Sequence, residues 1–426
     1  MIESIETVII GAGQAGLATS YALKQHGREH IILDKASAPG NSWRSERWDS
    51  FTFVSPNWTF LLPGGEYDGS DPDGFMTRDE LVRRFEQYAE KYHLPIAFNT
   101  QVISVQQVEG SGYLVKTLDK EYHTRNVVAA TGWFQLGKIP SFADKIPSSI
   151  LQFHTSKYRN PQSLPPGAVL VVGSGQSGAQ IAEELYQSGR KVFLATGVAP
   201  HAPRRYRGKD IFRWLYDSGF IGQTFEQLSF QGREFVAPMI SGKDGGHALN
   251  LHKFYREGAI LLGRTLDVVD GKLVLAPDLK ENLGKADMGQ KMIVKNFDAY
   301  IQRAGLDAPL EDLPVWKDGY QAPEITSLDL QAEGINTVIW ACGYTYDPSI
   351  FKFSFLDKNG IPDAPLGVSS TYPGLFFAGI PFLPSLGSGF FLHVAKNTSL
   401  IVERVIGSGH LEHQGYQEGA PLQTSI

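Results

Sequence analysis

The sequence predicts an α/β protein with two dinucleotide-binding, Rossmann-like units, each a sheet layered between helices. Three observations carry the prediction. A short apolar run, Val8-Ile9-Ile10, is followed at once by Gly11, Gly13 and Gly16, and then by a helix-like segment to Gln25. A second apolar run, Ile31-Ile32-Leu33, ends on Asp34, about 20 residues beyond the glycines, where an acid takes ribose hydroxyls. The glycine pattern then recurs at Gly173, Gly175 and Gly178, after the apolar run Val169–Val172.

The glycines serve backbone access. Gly11 allows a tight turn, Gly13 lets a pyrophosphate approach the main chain, and Gly16 lets the helix pack close to the strand. The helix N-terminus then offers free N–H groups and a positive dipole end to phosphates. Beyond Asp34, residues 37–55 form an irregular stretch rich in small, aromatic and basic residues, and 63–74 a turn-rich loop. Thr77 and Glu80 have the spacing of a capping box, and Leu81, Val82, Phe85, Tyr88, Ala89 and Tyr92 make the stripe of a helix over 78–92. Residues 101–108, 113–118 and 126–130 read as strands of a small antiparallel sheet. The Pro-rich run 161–167 reads as a linker and domain boundary. A strand, the GSGQSG turn and a helix over 179–187 follow, then a strand over 191–195 and a basic cluster at 203–214. The pattern over 219–308 is mixed. Thr337–Cys342 and Leu375–Ala378 read as strands, and the tail as a helix.

Composition narrows the function. A net charge of −6 over 426 residues argues against a nucleic-acid binder. The single cysteine, Cys342, rules out a C-x-x-C redox pair, a disulfide framework and a cysteine zinc cluster, and no metal site is expected. The longest apolar stretch, 375–395, is broken by Pro381 and Pro384, so no membrane span is expected. With no basic n-region at the start, a cytoplasmic location is the default expectation.

Two glycine turns imply two dinucleotides, and a flavin beside a nicotinamide is the economical reading. The second turn lacks an acid: Thr196 stands where Asp34 stands in the first. Its absence, with Arg204, Arg205 and Arg207 downstream, favours NADPH over NADH, unless the arginines are an ordinary solvated patch. Ala130-Thr131-Gly132 and Ala341-Cys342-Gly343 are either small-residue crossings beside a cofactor or plain strand-ending turns. Trp43 and Arg44 could cover a ring and contact a phosphate, and the Asn57 amide could reach a flavin edge. His154 and Tyr158 precede the linker. Each has a structural alternative.

The chain resembles the class B flavin-dependent monooxygenases, near the flavin-containing and indole-pyruvate monooxygenase branch. The matching pieces are GAGQAG (11–16), PGNSWR (39–44), SPNW (55–58), PDGFMTRDE (72–80), VVAATG (127–132), QFHTSKYRNP (152–161), VVGSGQSGAQIAEEL (171–185), PRRYRGKDIFRW (203–214), WACGYTYD (340–347) and PGLFFAGIPFL (373–383). The resemblance implies that Gly11, Gly13, Gln14, Ala15, Gly16 and Asp34 hold FAD, with Lys35, Trp43 and Arg44 nearby. It makes Val102 an adenine-pocket residue and sets Gly379 beside the flavin ring. It assigns Gly173, Ser174, Gly175, Gln176, Ser177, Gly178, Arg204 and Arg205 to NADPH. Asn57 falls near the family's asparagine beside flavin and nicotinamide, and is the expected catalytic residue. His154 and Tyr158 resemble the end of the family's F-x-G-x-x-x-H-x-x-x-(F/Y/W) fingerprint, whose front is replaced by Ser148 and Ile150.

The expected organisation is a split FAD domain (1–165 and 325–426) with the NADPH domain (166–324) inserted. The expected reaction uses NADPH and O₂ to oxygenate a small organic substrate through a C4a-(hydro)peroxyflavin. The alternatives are an NADPH oxidase or reductase that releases peroxide, and a flavoprotein that senses NADPH without turnover. Substrate identity, homodimer formation and any lid within 215–320 are not encoded in the motifs.

Overall fold

The computed structural model describes residues 2–108, 112–223, 227, 237–381 and 385–407. Residues 382–384 of the C-terminal apolar stretch, and 224–226 and 228–236 of the region that could hold a lid, lie outside the described residues. The chain opens with β1 (Ile2–Ile10), α1 (Gln14–Gln25), β2 (His30–Leu33), α2 (Asn41–Ser45) and α3 (Arg78–Lys91). Short β3 (Ile96–Ala97) and the meander β4 (Val102–Gln107), β5 (Tyr113–Thr117) and β6 (Glu121–Ala129) follow. Then come β7 (Leu136–Gly137), β8 (Leu151–His154), β9 (Ala168–Val172), α4 (Gln176–Gln187) and β10 (Val192–Ala195). The hairpin β11 (Arg205–Tyr206) and β12 (Lys209–Asp210) leads into α5 (Ile211–Asp217). A second hairpin, β13 (Ile240–Ser241) and β14 (His247–Ala248), leads to α6 (Leu251–Arg256) and β15 (Ile260–Leu262). The rest is β16 (Thr265–Val269), β17 (Lys272–Leu275), α7 (Leu279–Arg303), β18 (Ser327–Asp329), β19 (Ile335–Trp340), β20 (Tyr344–Thr345), β21 (Leu375–Phe377) and α8 (Phe391–Gly407). No helix among the described residues is long and apolar enough to cross a membrane.

Two sheets organise these elements. The first runs β3-β2-β1-β6-β5-β4, with β21 parallel to the second half of β6. The meander is therefore no separate sheet. β6 pairs antiparallel with β5 and parallel with β1, which joins the meander to the dinucleotide unit. The second sheet, β15-β10-β9-β19-β8, is parallel throughout. Both faces of a parallel sheet are covered, so β9 carries five apolar residues, all buried, with no alternation.

This pairing moves the expected domain boundaries. β8 and β19 belong to the second sheet, although they fall on the FAD side of the expected 165 and in the FAD segment from 325. The Pro-rich stretch, taken as the linker, lies in the connection between two parallel strands of one sheet, β8 and β9. The chain instead crosses between β6 and β8 and again between β19 and β21. At those crossings β7 and β20 pair with each other, Gly137 opposite Tyr344.

α1, α3 and α8 pack on one face of the first sheet through Leu17, Leu81, Phe85, Ile401 and Val405, and Phe351, Phe355 and Phe377 cover the other. α4, α6 and α7 cover one face of the second sheet. A further apolar cluster joins the halves: Val54, Trp58 and Leu392 meet Ile211, Phe212, Trp214, Ile221 and Phe297.

Candidate cofactor cleft

The two glycine turns are near copies. Gly11 and Gly173 both sit at φ +107°, a left-handed region that favours glycine. A Cβ on Gly16 would run into the Gly11 carbonyl oxygen, and one on Gly178 into that of Gly173. At Gly13 and Gly175 a Cβ would meet nothing within 4 Å. Each of these is the N-cap of its helix, with no side chain capping the first turn and no acid within it. Two helix N-termini thus keep their N–H groups free toward open space, the environment an anionic pyrophosphate needs. That opening is what makes the sites fit FAD and NADPH.

The open readings of 130–132 and 341–343 resolve as crossings. A Cβ on Gly11 would lie 2.6 Å from the Ala130 oxygen, and one on Gly173 2.5 Å from the Ala341 oxygen. The chain leaving β6 or β19 passes directly against the glycine turn, so only small residues fit there. Gly132 and Gly343 follow at φ +77° and +79°. Thr131 accepts a hydrogen bond from Gln135 Nε2 (2.8 Å), and Gln135 Oε1 accepts from Asp347 N (2.8 Å), which ties the two crossings together.

Around the first turn the expected residues converge. Asp34 accepts from Ala12 N (2.5 Å) and Ala36 N (2.7 Å), so its carboxylate is aimed at the turn. Lys35 follows it, and Thr100 N donates to Asp34 O (2.8 Å), which brings the start of β4 and buried Val102 close. Gly40 N donates to Ala12 O (3.0 Å), docking α2 on the turn. Trp43 on α2 packs against Phe51, Phe53 and Phe391. Arg44 pairs with Glu86 (2.7 Å), and its buried Nε has no partner among the described residues. Gly379 sits against Ala15, and Gln14 Nε2 donates to Gly389 O (2.7 Å), so the C-terminal segment closes over the same helix end.

The second turn is built differently from expectation. Ser174 Oγ accepts from Gly197 N (3.0 Å), which fixes the loop after β10. Thr196 is buried and its hydroxyl donates to Leu262 O (2.8 Å). Gln176 and Gln180 both donate to Ile240 O, and Ser177 is the second residue of the same helix. Arg204 is no solvated phosphate clamp. It is 4% exposed, stacked 4.3 Å from the Phe75 ring centre, paired with Asp210 (2.8 Å) and bonded to Val54 O (2.7 Å). Its Nη2 has no partner among the described residues, and burial pushes the guanidinium below its ordinary range. Arg205 donates to Gly245 O (2.9 Å) and Gly246 O (3.2 Å), and Arg207 is tied to Asp298 (2.9 Å). Of the two arguments for NADPH, the missing acid at Thr196 stands. Arg204 and Arg207 are engaged by acids, while Arg205 is exposed and bonds only loop carbonyls.

Asn57 is bonded through both atoms of its amide. Its Nδ2 donates to Asp71 O (2.9 Å), and its Oδ1 accepts from Met76 N (2.7 Å). The amide brackets the 71–76 loop, leaving one N–H. His154 Nε2 donates to Gly343 O (3.1 Å) beneath the β7–β20 ribbon, and the Tyr158 hydroxyl donates to Glu184 (2.8 Å). Neither reaches a glycine turn by these bonds.

Two networks had no sequence signal, since their members are scattered along the chain. His201 Nδ1 donates to Asp287 Oδ1 (2.9 Å), and His252 Nε2 and the Tyr320 hydroxyl donate to Asp287 Oδ2 (3.2 and 2.9 Å). The outer nitrogens accept from Leu251 N and Gly319 N, both at 3.0 Å. Each neutral ring must therefore carry its proton toward Asp287, and no ring lone pair is left for a metal ion. Burial alone would raise the Asp287 carboxyl, but the donors outweigh it and hold it below the usual carboxylate range. Burial also depresses the His201 imidazole. The second network joins His247 to Glu183. Cys342 is half-buried, and burial pushes its thiol up to about 11. With no second cysteine in the chain, it has no partner for dithiol chemistry.

A family model described as pyridine nucleotide-disulphide oxidoreductase matches residues 8–218. A CzcO-like oxidoreductase of Geobacillus kaustophilus is 32% identical over 404 residues, 94% of this chain and 98% of the relative. The probable indole-3-pyruvate monooxygenase YUCCA3 of Arabidopsis thaliana is 29% identical over 341 residues, 72% of this chain and 74% of the relative. Among solved structures, a flavin-containing monooxygenase from Stenotrophomonas maltophilia superposes with a TM-score of 0.65 at 19% identity, covering 96% of this chain and 99% of that one. That likeness is one of fold.

Proposed function

The chain belongs to the class B flavin-dependent monooxygenases, on their CzcO-like branch, and on that premise we propose that it uses NADPH and O₂ to oxygenate a small organic substrate. The observation that carries the reading is the pair of uncapped helix N-termini, each opened by a glycine with free space at its Cβ direction. FAD would lie on the first and NADPH on the second. When bound, the flavin supplies hydride acceptance and oxygen activation. The balance is one NADPH, one proton and one O₂ consumed, one oxygen atom placed on the substrate and the other released as water.

The protein's own residues bind, orient and exclude water. The helix ends at Gly13 and Gly175 would hold the pyrophosphates with their N–H groups, and Asp34 keeps acceptor capacity for a ribose hydroxyl. Trp43, Phe53, Phe60 and Phe391 form an aromatic wall that keeps water out. Asn57 acts as a positioning residue. By bracketing the 71–76 loop it helps place Phe75 against Arg204. Substrates that fit this chemistry are a soft nitrogen or sulfur nucleophile, or a carbonyl such as a 2-oxo acid.

The test is anaerobic mixing with NADPH, then admission of ¹⁸O₂ with a panel of amines, thioethers and 2-oxo acids. We expect bleaching of a bound flavin and one labelled oxygen per NADPH with at least one class. Peroxide released in step with NADPH against every class would turn the reading to an oxidase. Absence of bleaching with both nucleotides bound would turn it to a sensor.

A further inference from the structure

Glu183 lies on α4, the helix whose N-terminus forms the second glycine turn, and it is 2% exposed. A buried carboxylate without a counter-charge costs several kcal/mol. Its partner is His247 on β14, whose Nε2 lies 2.9 Å from both carboxylate oxygens. The other ring nitrogen, Nδ1, faces Lys243 O at 3.1 Å. A carbonyl and an ionised carboxylate only accept, so both nitrogens donate and the ring is an imidazolium. The hydrogen bond His247 donates to Glu183 raises its imidazole above the ordinary range, in the same sense as the geometry.

The β13–β14 hairpin that carries His247 is bonded to the first turns of α4. Ser241 is paired with His247, and the preceding Ile240 carbonyl takes the side chains of Gln176 and Gln180 from the first turns of α4. The hairpin's turn reaches the other half of the molecule. A Cβ on Gly242 would strike the Phe53 carbonyl, and one on Gly246 would lie 2.5 Å from the Phe75 ring. The hairpin is thus wedged between α4 and the flavin-side loops. The ring faces Glu183 as counter-ion and Lys253 of α6 as a like charge. The Lys243 ammonium turns away to Gln187 (3.1 Å), Arg205 holds the turn by its carbonyls, and the Tyr186 hydroxyl next to Glu183 donates to Glu257 (2.8 Å).

We propose that His247 is a positioning residue for the nicotinamide dinucleotide: while charged it pins the 240–248 hairpin to α4, and loss of that charge at alkaline pH loosens the hairpin and weakens NADP(H) binding. The proposal rests on reading α4 as the NADPH helix. Neutral His247 carries one ring proton, so either Glu183 or the Lys243 carbonyl loses its donor. The hairpin's hold on Gln176 and Gln180 weakens with it.

The test uses the full-length protein loaded with FAD. NADP⁺ affinity is measured by calorimetry from pH 7 to 9.5, above the titration of the 2′-phosphate, for the native protein and for Glu183→Gln and His247→Gln. Amide exchange over 240–248, corrected for intrinsic rates, is followed over the same range without nucleotide. The native protein should lose about 10-fold in affinity as hairpin protection falls, and both variants should show neither pH dependence. Equal pH dependence in native protein and Glu183→Gln, or flat behaviour in the native protein, overturns the proposal. If NADP⁺ fails to bind at every pH while hairpin protection still switches in the native protein alone, the α4 assignment falls and the latch stands.

Discussion

Gly175 and Gly178 lie three residues apart and differ in what an added methyl group meets. At Gly175 it meets open space, at φ −69°, which any residue adopts. Gly175→Ala should fold with stability within about 1 kcal/mol of the native protein and keep its FAD, yet bind NADP⁺ about 10-fold or more weakly, because the methyl occupies the pyrophosphate's approach. Gly178→Ala should instead be destabilised, since its methyl strikes the Gly173 carbonyl. Thermal denaturation beside an NADP⁺ titration separates the two, and equal behaviour would refute this account of the turn. Asn57 sorts the same way. Asn57→Ala removes both side-chain bonds to the 71–76 loop, though the backbone bonds from Phe53, Asn57 and Trp58 remain, and should lower stability by about 1–3 kcal/mol, besides uncoupling NADPH use from product. Unchanged coupling in a stable variant would confine Asn57 to loop packing.

The Asp287 network ties α6, α7, the loop after β10 and the turn at 318–321 together. Both depressed groups, the Asp287 carboxyl and the His201 imidazole, give stability that is complete above their unfolded pKa values. It is lost as the pH falls through the folded ones. The His201 share fades below about pH 6.5 and the Asp287 share below about pH 4. His247 has the opposite sign. Its raised imidazole stabilises below about pH 6.5 and loses that contribution as the pH rises through its folded value. Urea denaturation across pH should therefore show a stability maximum flanked by both losses. Asp287→Asn should cost about 1–3 kcal/mol at pH 7 and flatten the acid limb. An unchanged acid limb would show that other groups set it. α7 also shows where sequence reading stops. The glycine turns, α1, α3, α4 and the central strands were legible because apolar period and turn chemistry agree there. α7 was not, because Gly284 and Gly289 look like breakers. Yet Gly289 is there so that the helix can approach Pro200, which a Cβ would strike. Gly289→Ala should cost about 1–3 kcal/mol by overpacking, whereas exposed Met292→Ala should be near neutral in the same denaturation assay. The burial of Arg204 was hidden for a related reason: a basic run in sequence does not reveal that Arg204 pairs with a half-buried Asp210 six residues on.

At the scale of the whole molecule, Arg204 is one of the side chains that hold the halves together. Arg204→Ala strands Asp210, 11% exposed, with its counter-charge gone, and frees the Val54 carbonyl. A loss of about 3–5 kcal/mol is expected, with an increased radius of gyration by small-angle scattering. A less stable variant of unchanged radius would assign Arg204 to its own half alone. The split of the first half across the chain was legible only through the family resemblance, which set Gly379 beside the flavin ring. Its seams were not, because β8 and β19 join the second sheet by pairing partners that no local pattern names. Those seams also set an order of assembly. β21 must lie beside β6, Phe377 opposite Ala129, yet the whole inserted half separates them along the chain. While that half is unfolded, bringing the two strands together closes a very long loop. Once it has folded, β7 and β20 already lie side by side and the remaining loop, 346–374, is far shorter. During synthesis, then, β1 to β6 can form early with their C-terminal edge bare. The last strand and α8 are laid down only after the inserted half has brought its own ends together.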